Sequence, residues 1–303
     1  MQYTAPLACP VPVVVSVHDV SFLEHPEYFT RDRAWQLQWS VRRTVHRAAK
    51  ILTGSEFSRA SILKVYGDLD EDKVVVVPNA AARRSSGRLS RESASAVMRD
   101  HFRITAPFVL SVGDLQPRKN QIGLIRAFAR LVKAYPQLKQ NLVLAGKETW
   151  FADQVHRARA RFAAWPTVST SAASSPMRTC CSLYNACDLF VFPSFYEGFG
   201  LPALEAMACG RGCRSVRIPR RCLRVVDGAA ILFDPYALDE IVRALADLLL
   251  DGELRLRMER LGLQRAAHFS WQKTAQRTLA VFHDVLEKSR ATSDVFSQTI
   301  AHR

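Results

Sequence analysis

The sequence contains no apolar run of the roughly 20 residues that a membrane-spanning helix needs. Its opening, MQYTAPLACPVPVVV, has no basic stretch followed by an apolar run and a small-residue cleavage site, so no signal peptide is expected. Cysteine is sparse and unpatterned. Cys9, Cys180, Cys181, Cys187, Cys209, Cys213 and Cys222 include no C-x-x-C pair. The odd count of seven in a long chain argues against a disulfide framework, and the spacing argues against a zinc site. A reducing cytoplasm is the expected compartment. Acidic residues are outnumbered, 28 to 42, which leaves a net charge of +14. Such a balance invites nucleic acid or an anionic membrane surface. No nucleic-acid motif with interleaved aromatics accompanies the arginines, so nucleic acid is not an expected partner.

What is present is ordinary for a globular protein: 48% hydrophobic and 23% charged residues in 303. That length suits about two domains. Short β-branched runs alternate with helical patterns, the signature of an α/β protein with parallel sheets covered by helices. Strands are predicted at 11–20, 51–55 and 73–79, with helices at about 31–50 and 58–66. Residues 83–96 are polar and read as a linker or the approach to a helix. A second α/β region starts at PFVLSVGDL, residues 107–115. It continues through a helix at 121–134, strands at 141–147 and 188–194, a helix from Pro202, and a strand at 228–234. Helices at about 237–250 and 271–288 close the chain.

Residues 162–182 and 211–224 break this rhythm, because neither shows a strand or helix period. The second holds Arg211, Arg214, Arg217, Arg220, Arg221 and Arg224 with no acid among them. Out-of-frame translation is one explanation. Trp165-Pro166 must be encoded TGGCCN, and a reading one base earlier lets Trp165–Ser175 encode Leu-Ala-Asp-Arg-Val-His-Phe-Ser-Gly-Phe-Val, an ordinary strand and turn. The second stretch permits Ala-Val-Val-Ala-Ser on a shifted frame. A divergent pair of basic loops is the alternative.

Two motifs carry chemistry. In VGDLQPRKN, residues 112–120, a strand ends in a turn containing Gly113, and Arg118-Lys119 stand just before a helix. Open α/β sheets bind ligands at the carboxyl ends of their strands, and a helix N-terminus favours an anion. Arg offers a planar fork to phosphate oxygens, and Lys offers a point charge. Alone, such a dipeptide is usually a solvated helix start. In FYEGFGLPALEA, residues 195–206, Gly198 and Gly200 permit close backbone approach to a ligand. Glu197 and Glu205, one in the loop and one in the first turns of a helix, are expected to face one crevice. Their carboxylates suit vicinal sugar hydroxyls. The bland reading of Glu205 is a charge complementing the helix dipole.

EGFGLPALEAMACG resembles the E-x7-E element of family-4 retaining glycosyltransferases, which have two facing Rossmann-like domains, the GT-B fold. VGDLQPRKN, LVLAGK, YNACDLFVFPS and DPYALDEIVRAL are similar to the donor domain of that family. SVHDVSFLEHPEYF, LTGSEFSR and VVVVPNA resemble the second half of its acceptor-side domain. The resemblance implies a partial acceptor-side domain at 1–95 and a nucleotide-sugar donor domain at 96–270. A helix at 271–303 would pack back toward the first domain.

The resemblance also implies roles. A nucleotide-diphosphate sugar would donate a hexosyl group to a glycan or lipid-linked acceptor with retention of configuration, without a metal or other cofactor. Arg118 and Lys119 would hold the diphosphate, and Glu205 the ribose. Glu197 would contact the transferred sugar beside Gly113, Gly198, Phe199, Gly200 and Leu201, with backbone N–H groups of Phe199 and Gly200 assisting. His18 would reach the donor sugar or phosphate, its bland reading being a satisfied loop histidine.

The chain departs from the family in lacking its opening strand and Gly-rich loop, and in lacking Gly after Asn79. The first sheet is therefore expected to be incomplete, with one face unburied. An N-terminally truncated, non-catalytic remnant that still binds a nucleotide sugar is the rival reading. In the helix at 31–50, Trp35 and Trp39 are expected to pack inward behind a solvated basic face. The alternative is a face that draws the protein to anionic lipid at the inner surface of a membrane.

Overall fold

A computed structural model of the chain describes residues 5–6, 8–81, 89–105, 107–162, 167–170, 177–209, 217–219 and 223–301. The chain divides into two units, one of Met1–Asn79 with Ser270–Arg303, the other of Ala80–Phe269. Residues 80–95 thus group with the second unit.

In the first unit β1 (Val14–Ser16) leads through α1 (Ser21–Glu24) and α2 (Arg31–Arg47) to β2 (Lys50–Thr53). Then α3 (Glu56–Val65) leads to β3 (Val74–Val76). The strands lie parallel in the order β1-β2-β3, with Val15 opposite Ile51 and Leu52 opposite Val75. Ser55 caps α3 by accepting a hydrogen bond from the backbone N–H of Ser58, which satisfies one orphan donor of the first turn. Along α2, Ala34, Leu37, Val41, Thr44 and Val45 recur at helical spacing and are buried. Leu37, Val41 and Val45 join Val15, Val17, Phe22, Ile51, Ile62 and Val74 in one core.

That stripe corrects the expectation for the tryptophans. Trp35 and Trp39 fall off it and are 70% and 58% exposed. The core face is filled by smaller aliphatics, and the Arg43 guanidinium lies 5.9 Å from the Trp39 ring centroid.

The second unit runs α4 (Arg91–Phe102), β4 (Phe108–Val112), α5 (Gln121–Ala134), β5 (Asn141–Ala145), α6 (Ala152–Arg161), β6 (Thr167–Thr170) and α7 (Met177–Ala186). It continues with β7 (Leu189–Phe190), α8 (Leu201–Cys209), β8 (Arg217–Pro219), α9 (Leu223–Val226), β9 (Ile231–Phe233), α10 (Leu238–Leu250) and α11 (Gly252–Ala266). Four strands form a parallel sheet in the order β6-β5-β4-β7, and β8 pairs with β9.

Both faces of the four-stranded sheet are dry. Phe108 and Leu110 of β4 pack with Met98, Tyr184 and Phe190, whereas Val109 packs with Leu124, Phe128 and Leu245. A two-sided core explains why β4 reads as a continuous apolar run rather than an alternation. Along α5 the buried residues include Leu124, Ile125, Phe128, Leu131 and Val132. Truncating a side chain such as Phe128 to Ala would cost about 3–5 kcal/mol in transfer and cavity terms.

The last helix, α12 (Trp271–Ala301), belongs to the first unit. Its Val281 and Val285 pack on Leu52 and Val77, and Thr274 Oγ1 donates to the Pro78 carbonyl at 2.7 Å. The second face of the small sheet is therefore covered in part by α12, contrary to the expectation of an unburied face. Leu279, Phe282 and Leu286 of the same helix stay 53%, 43% and 51% exposed.

One further expectation changes. The described parts of 162–182 and 211–224 carry regular backbone: β6 pairs with β5 from Leu142↔Thr167 to Ala145↔Thr170, β8 pairs with β9, and α7 starts at Met177. An open strand edge selects extended backbone over weak local preference. The shifted-frame reading of those stretches falls largely on residues outside those described. Among the described residues, no helix is long and apolar enough to cross a membrane.

Candidate active site

In the second unit's sheet β5 lies on one side of β4 and β7 on the other, so the strand order reverses at β4. At such a switch point the loops leaving the two strands diverge, and a crevice opens at their carboxyl ends. The loop after β4 carries Gly113 to Asn120, and the loop after β7 carries Pro193 to Gly200. Both expected motifs therefore meet at one place.

Their charged side chains touch there. Lys119 Nζ donates to Glu197 Oε1 at 2.6 Å, and Arg118 Nη1 lies 3.3 Å from Glu197 Oε2. Arg118 also donates to the Tyr196 carbonyl at 3.3 Å and to Gln116 Oε1 at 3.3 Å. The Phe195 N–H returns a bond to the Arg118 carbonyl at 2.8 Å. Lys119 Nζ stands 5.1 Å from the centroid of the Phe192 ring. Burial alone would raise the Glu197 carboxyl, but Lys119 and Arg118 outweigh it and hold it below its usual 4.5. Burial lowers Lys119 below its usual 10.5, against the opposing pull of Glu197. Two cations and one carboxylate leave the cluster with an excess positive charge.

The backbone is built to hold this arrangement. Asn120 takes the left-handed conformation, φ 53°, that Asn tolerates better than most residues. Its Nδ2 donates to the carbonyls of Pro193 at 3.3 Å and Pro235 at 2.9 Å, tying three loops together. Gln121 Nε2 donates to the Asp114 carbonyl at 2.9 Å. A Cβ on Gly113 would sit 3.2 Å from Lys119 Cδ, and one on Gly146 would sit 2.0 Å from the Gly113 carbonyl oxygen. Gly200, at φ 92°, accepts the first bonds of α8 from Ala203 at 3.0 Å and Leu204 at 3.2 Å. Ser194 is fully buried; its hydroxyl favours the charged carboxylate without making a well-aligned hydrogen bond.

Not every expected residue joins the cluster. Glu205 lies in the second turn of α8, where its Oε2 accepts from the Tyr184 hydroxyl at 3.1 Å. Phe199 faces the apolar core, edge to face with Phe269 at 5.9 Å, and Leu201 opens α8 at 36% exposure. Gly198 lies in the buried loop between Glu197 and Phe199. His18 follows β1 in the first unit, and its carbonyl accepts from Ser58 Oγ at 2.8 Å. Sequence reasoning passed over Asn120, Gln121 and Tyr184. Only Asn120 left a signal, as a turn-tolerant residue immediately before a helix. Among the described residues Cys9, Cys181, Cys187 and Cys209 form no disulfide, and no group of three His, Cys, Asp or Glu is placed to hold a metal.

Fold and site together define an α/β protein of Rossmann-type units with an anion-ready crevice at the switch point of its second sheet. The Glycosyl transferases group 1 family matches residues 98–265, and Glycosyltransferase Family 4 matches residues 2–82. O-antigen chain mannosyltransferase B of Escherichia coli is 30% identical over 285 residues, which cover 89% of this chain and 69% of that protein. D-inositol 3-phosphate glycosyltransferase of Kribbella flavida is 30% identical over 267 residues, 82% of this chain and 59% of that one. Among solved structures, sucrose-phosphate synthase from Thermosynechococcus elongatus superposes with a TM-score of 0.72 at 17% identity. That match covers 91% of this chain and 68% of the synthase, and at this identity it speaks for the fold. The chain belongs to the glycosyl transferases group 1, the family-4 glycosyltransferases of GT-B fold.

Proposed function

We propose that this chain transfers a hexosyl group from a nucleotide-diphosphate sugar to a glycan or lipid-linked acceptor, with retention of configuration. The observation that carries the reading is the Arg118–Glu197–Lys119 cluster at the β4/β7 switch point. Glu197 is paired with both cations. A diphosphate offers them more negative charge and a bidentate partner for the arginine fork. The cations then stabilise the charge that grows on the leaving phosphate, the kind of preorganised electrostatics that dominates many enzymatic barriers. Released from them, Glu197 accepts hydrogen bonds from the sugar hydroxyls. The anomeric C–O bond to phosphate breaks, the acceptor oxygen attacks on the same face, and the departing phosphate takes the acceptor proton. No side chain is assigned as a covalent nucleophile.

The name of the Escherichia coli relative makes mannose the first sugar to test and a growing glycan the first acceptor. Glu205, oriented by Tyr184, is assigned to the ribose, and His18 to the donor sugar or phosphate. The exposed Trp35 and Trp39 beside Arg43 support peripheral contact with an anionic membrane face.

The test is release of nucleoside diphosphate from a panel of nucleotide sugars, with and without glycan and lipid-linked acceptors. Turnover with one donor supports the reading. Binding of a nucleoside diphosphate without turnover supports a non-catalytic nucleotide-sugar-binding protein instead. Neither binding nor turnover rejects both.

A further inference from the structure

Away from the switch point the second unit carries another concave, positively charged feature. A groove of about 540 Å³ runs between α5 and α6, lined by Ile122, Arg126, Gln154, Arg157, Ala158, Arg161 and Phe162. On α6, Gln154, Arg157, Ala158 and Arg161 share one face at spacings of three and four, and Ile122 and Arg126 do the same on α5. No acid is among the described residues that line the groove. Among the described residues, Arg126, Arg157 and Arg161 make no hydrogen bond or ion pair, whereas Arg130, one turn further along α5, is paired with Asp239 at 2.8 Å. Three guanidinium groups from two helices thus line a single concavity, and none of them is ion-paired among the described residues. Like charges four apart on a helix repel. A bound anion would offset that repulsion.

The form of the groove narrows the ligand. Guanidinium forks match the tetrahedral oxygens of phosphate in bidentate pairs, and three of them exceed what a single carboxylate can satisfy. Ile122, Ala158 and Phe162 add apolar surface to the lining, which suits the methylene stems of arginine. We propose that the groove between α5 and α6 binds a phosphate- or pyrophosphate-bearing ligand, as a site separate from the donor crevice. The ligand bridges α5 and α6, and α5 starts directly after Lys119 and Asn120. Occupancy of the groove therefore bears on the helix that frames the donor loop.

The experiment is hydrogen exchange of the full chain, read on the amides of α5 and α6. The probes are sodium pyrophosphate and, separately, phosphatidylglycerol vesicles with phosphatidylcholine vesicles as the neutral reference. Arg157→Gln/Arg161→Gln and, on the other helix, Arg126→Gln are exposed substitutions that leave the core intact. Protection of α6 by pyrophosphate that needs on the order of tenfold more ligand in the double variant, but persists in Arg118→Ala, supports the site and identifies a free phosphate compound. Protection by phosphatidylglycerol vesicles alone, with the same loss in the variants, supports it and identifies a lipid headgroup. No protection by either probe, protection unchanged in both groove variants, or equal protection by chloride at matched ionic strength overturns it.

Discussion

Lys119 Nζ sits 2.6 Å from Glu197 Oε1, although the two residues are 78 positions apart and leave opposite sides of the sheet's switch point. The pair is buried, so each charge depends on the other. Removing Glu197 as Glu197→Gln leaves Lys119 and Arg118 side by side without the carboxylate that bonds both. We expect a loss of about 3 kcal/mol from urea unfolding, with Lys119→Met costing less because Arg118 still serves the carboxylate. The double variant should recover at least about 1 kcal/mol of the summed losses. Strictly additive losses would show that the contact is not energetically coupled.

The same contact has a pH signature. Glu197 ionises below its usual 4.5, so the folded state binds fewer protons there than the unfolded state. Its stabilisation is complete above about pH 5 and declines as pH falls through the lowered folded value. The stability difference between the wild type and Glu197→Gln should therefore be flat from neutral pH to about 5 and shrink below it. Lys119 works at the other end. Its lowered value means that stability gains as pH rises toward 10.5, because the unfolded chain holds that proton longer. A difference that grew on acidification would contradict the assignment of charge.

Gly146→Ala tests the backbone crossing that shapes the crevice. The new Cβ would meet the Gly113 carbonyl at 2.0 Å, against backbone that cannot rotate away. The expected cost is about 3 kcal/mol or more, with weaker nucleoside diphosphate binding because Gly113 abuts Lys119. Gly67→Ala is the reference, since nothing lies within 4 Å of its Cβ, and it should stay within about 0.5 kcal/mol of the wild type.

Tyr184→Phe removes the hydroxyl that holds Glu205 and little else. If Glu205 binds the ribose, the donor KM rises several-fold while kcat is nearly unchanged, because the lost contact serves ground state and transition state alike. A fall in kcat at constant KM would place Glu205 in the chemical step instead.

Much of the α/β alternation was legible because its strands are β-branched runs bounded by turns. The helix at Gln121–Ala134 was read to its ends, since Ile125, Phe128 and Val132 repeat at helical spacing. Helix α6 was not, because its buried residues are only Ala152 and Val155 among arginines. Helix α11 hid for a similar reason, burying Met258, Gly262 and Ala266, two of them too small to mark a face. Arg118, Lys119 and Glu197 were legible as candidates within motifs, but their mutual contact was not. Long-range ion pairs leave no local period. The contact of Glu205 with Tyr184, and the exposure of Trp35 and Trp39, depend on tertiary neighbours that no local pattern specifies.

We propose that Arg118 and Lys119, held by Glu197, pass to the donor diphosphate. Calorimetric titration of a nucleoside diphosphate into the wild type, Arg118→Ala and Glu197→Gln tests it most directly. Arg118→Ala should bind about tenfold or more weakly, for loss of a bidentate charged pair. Glu197→Gln should bind more tightly than the wild type while losing sugar transfer, because the competing carboxylate is gone. Equal affinities across the three proteins, or weaker binding by Glu197→Gln with its fold intact, would contradict the account.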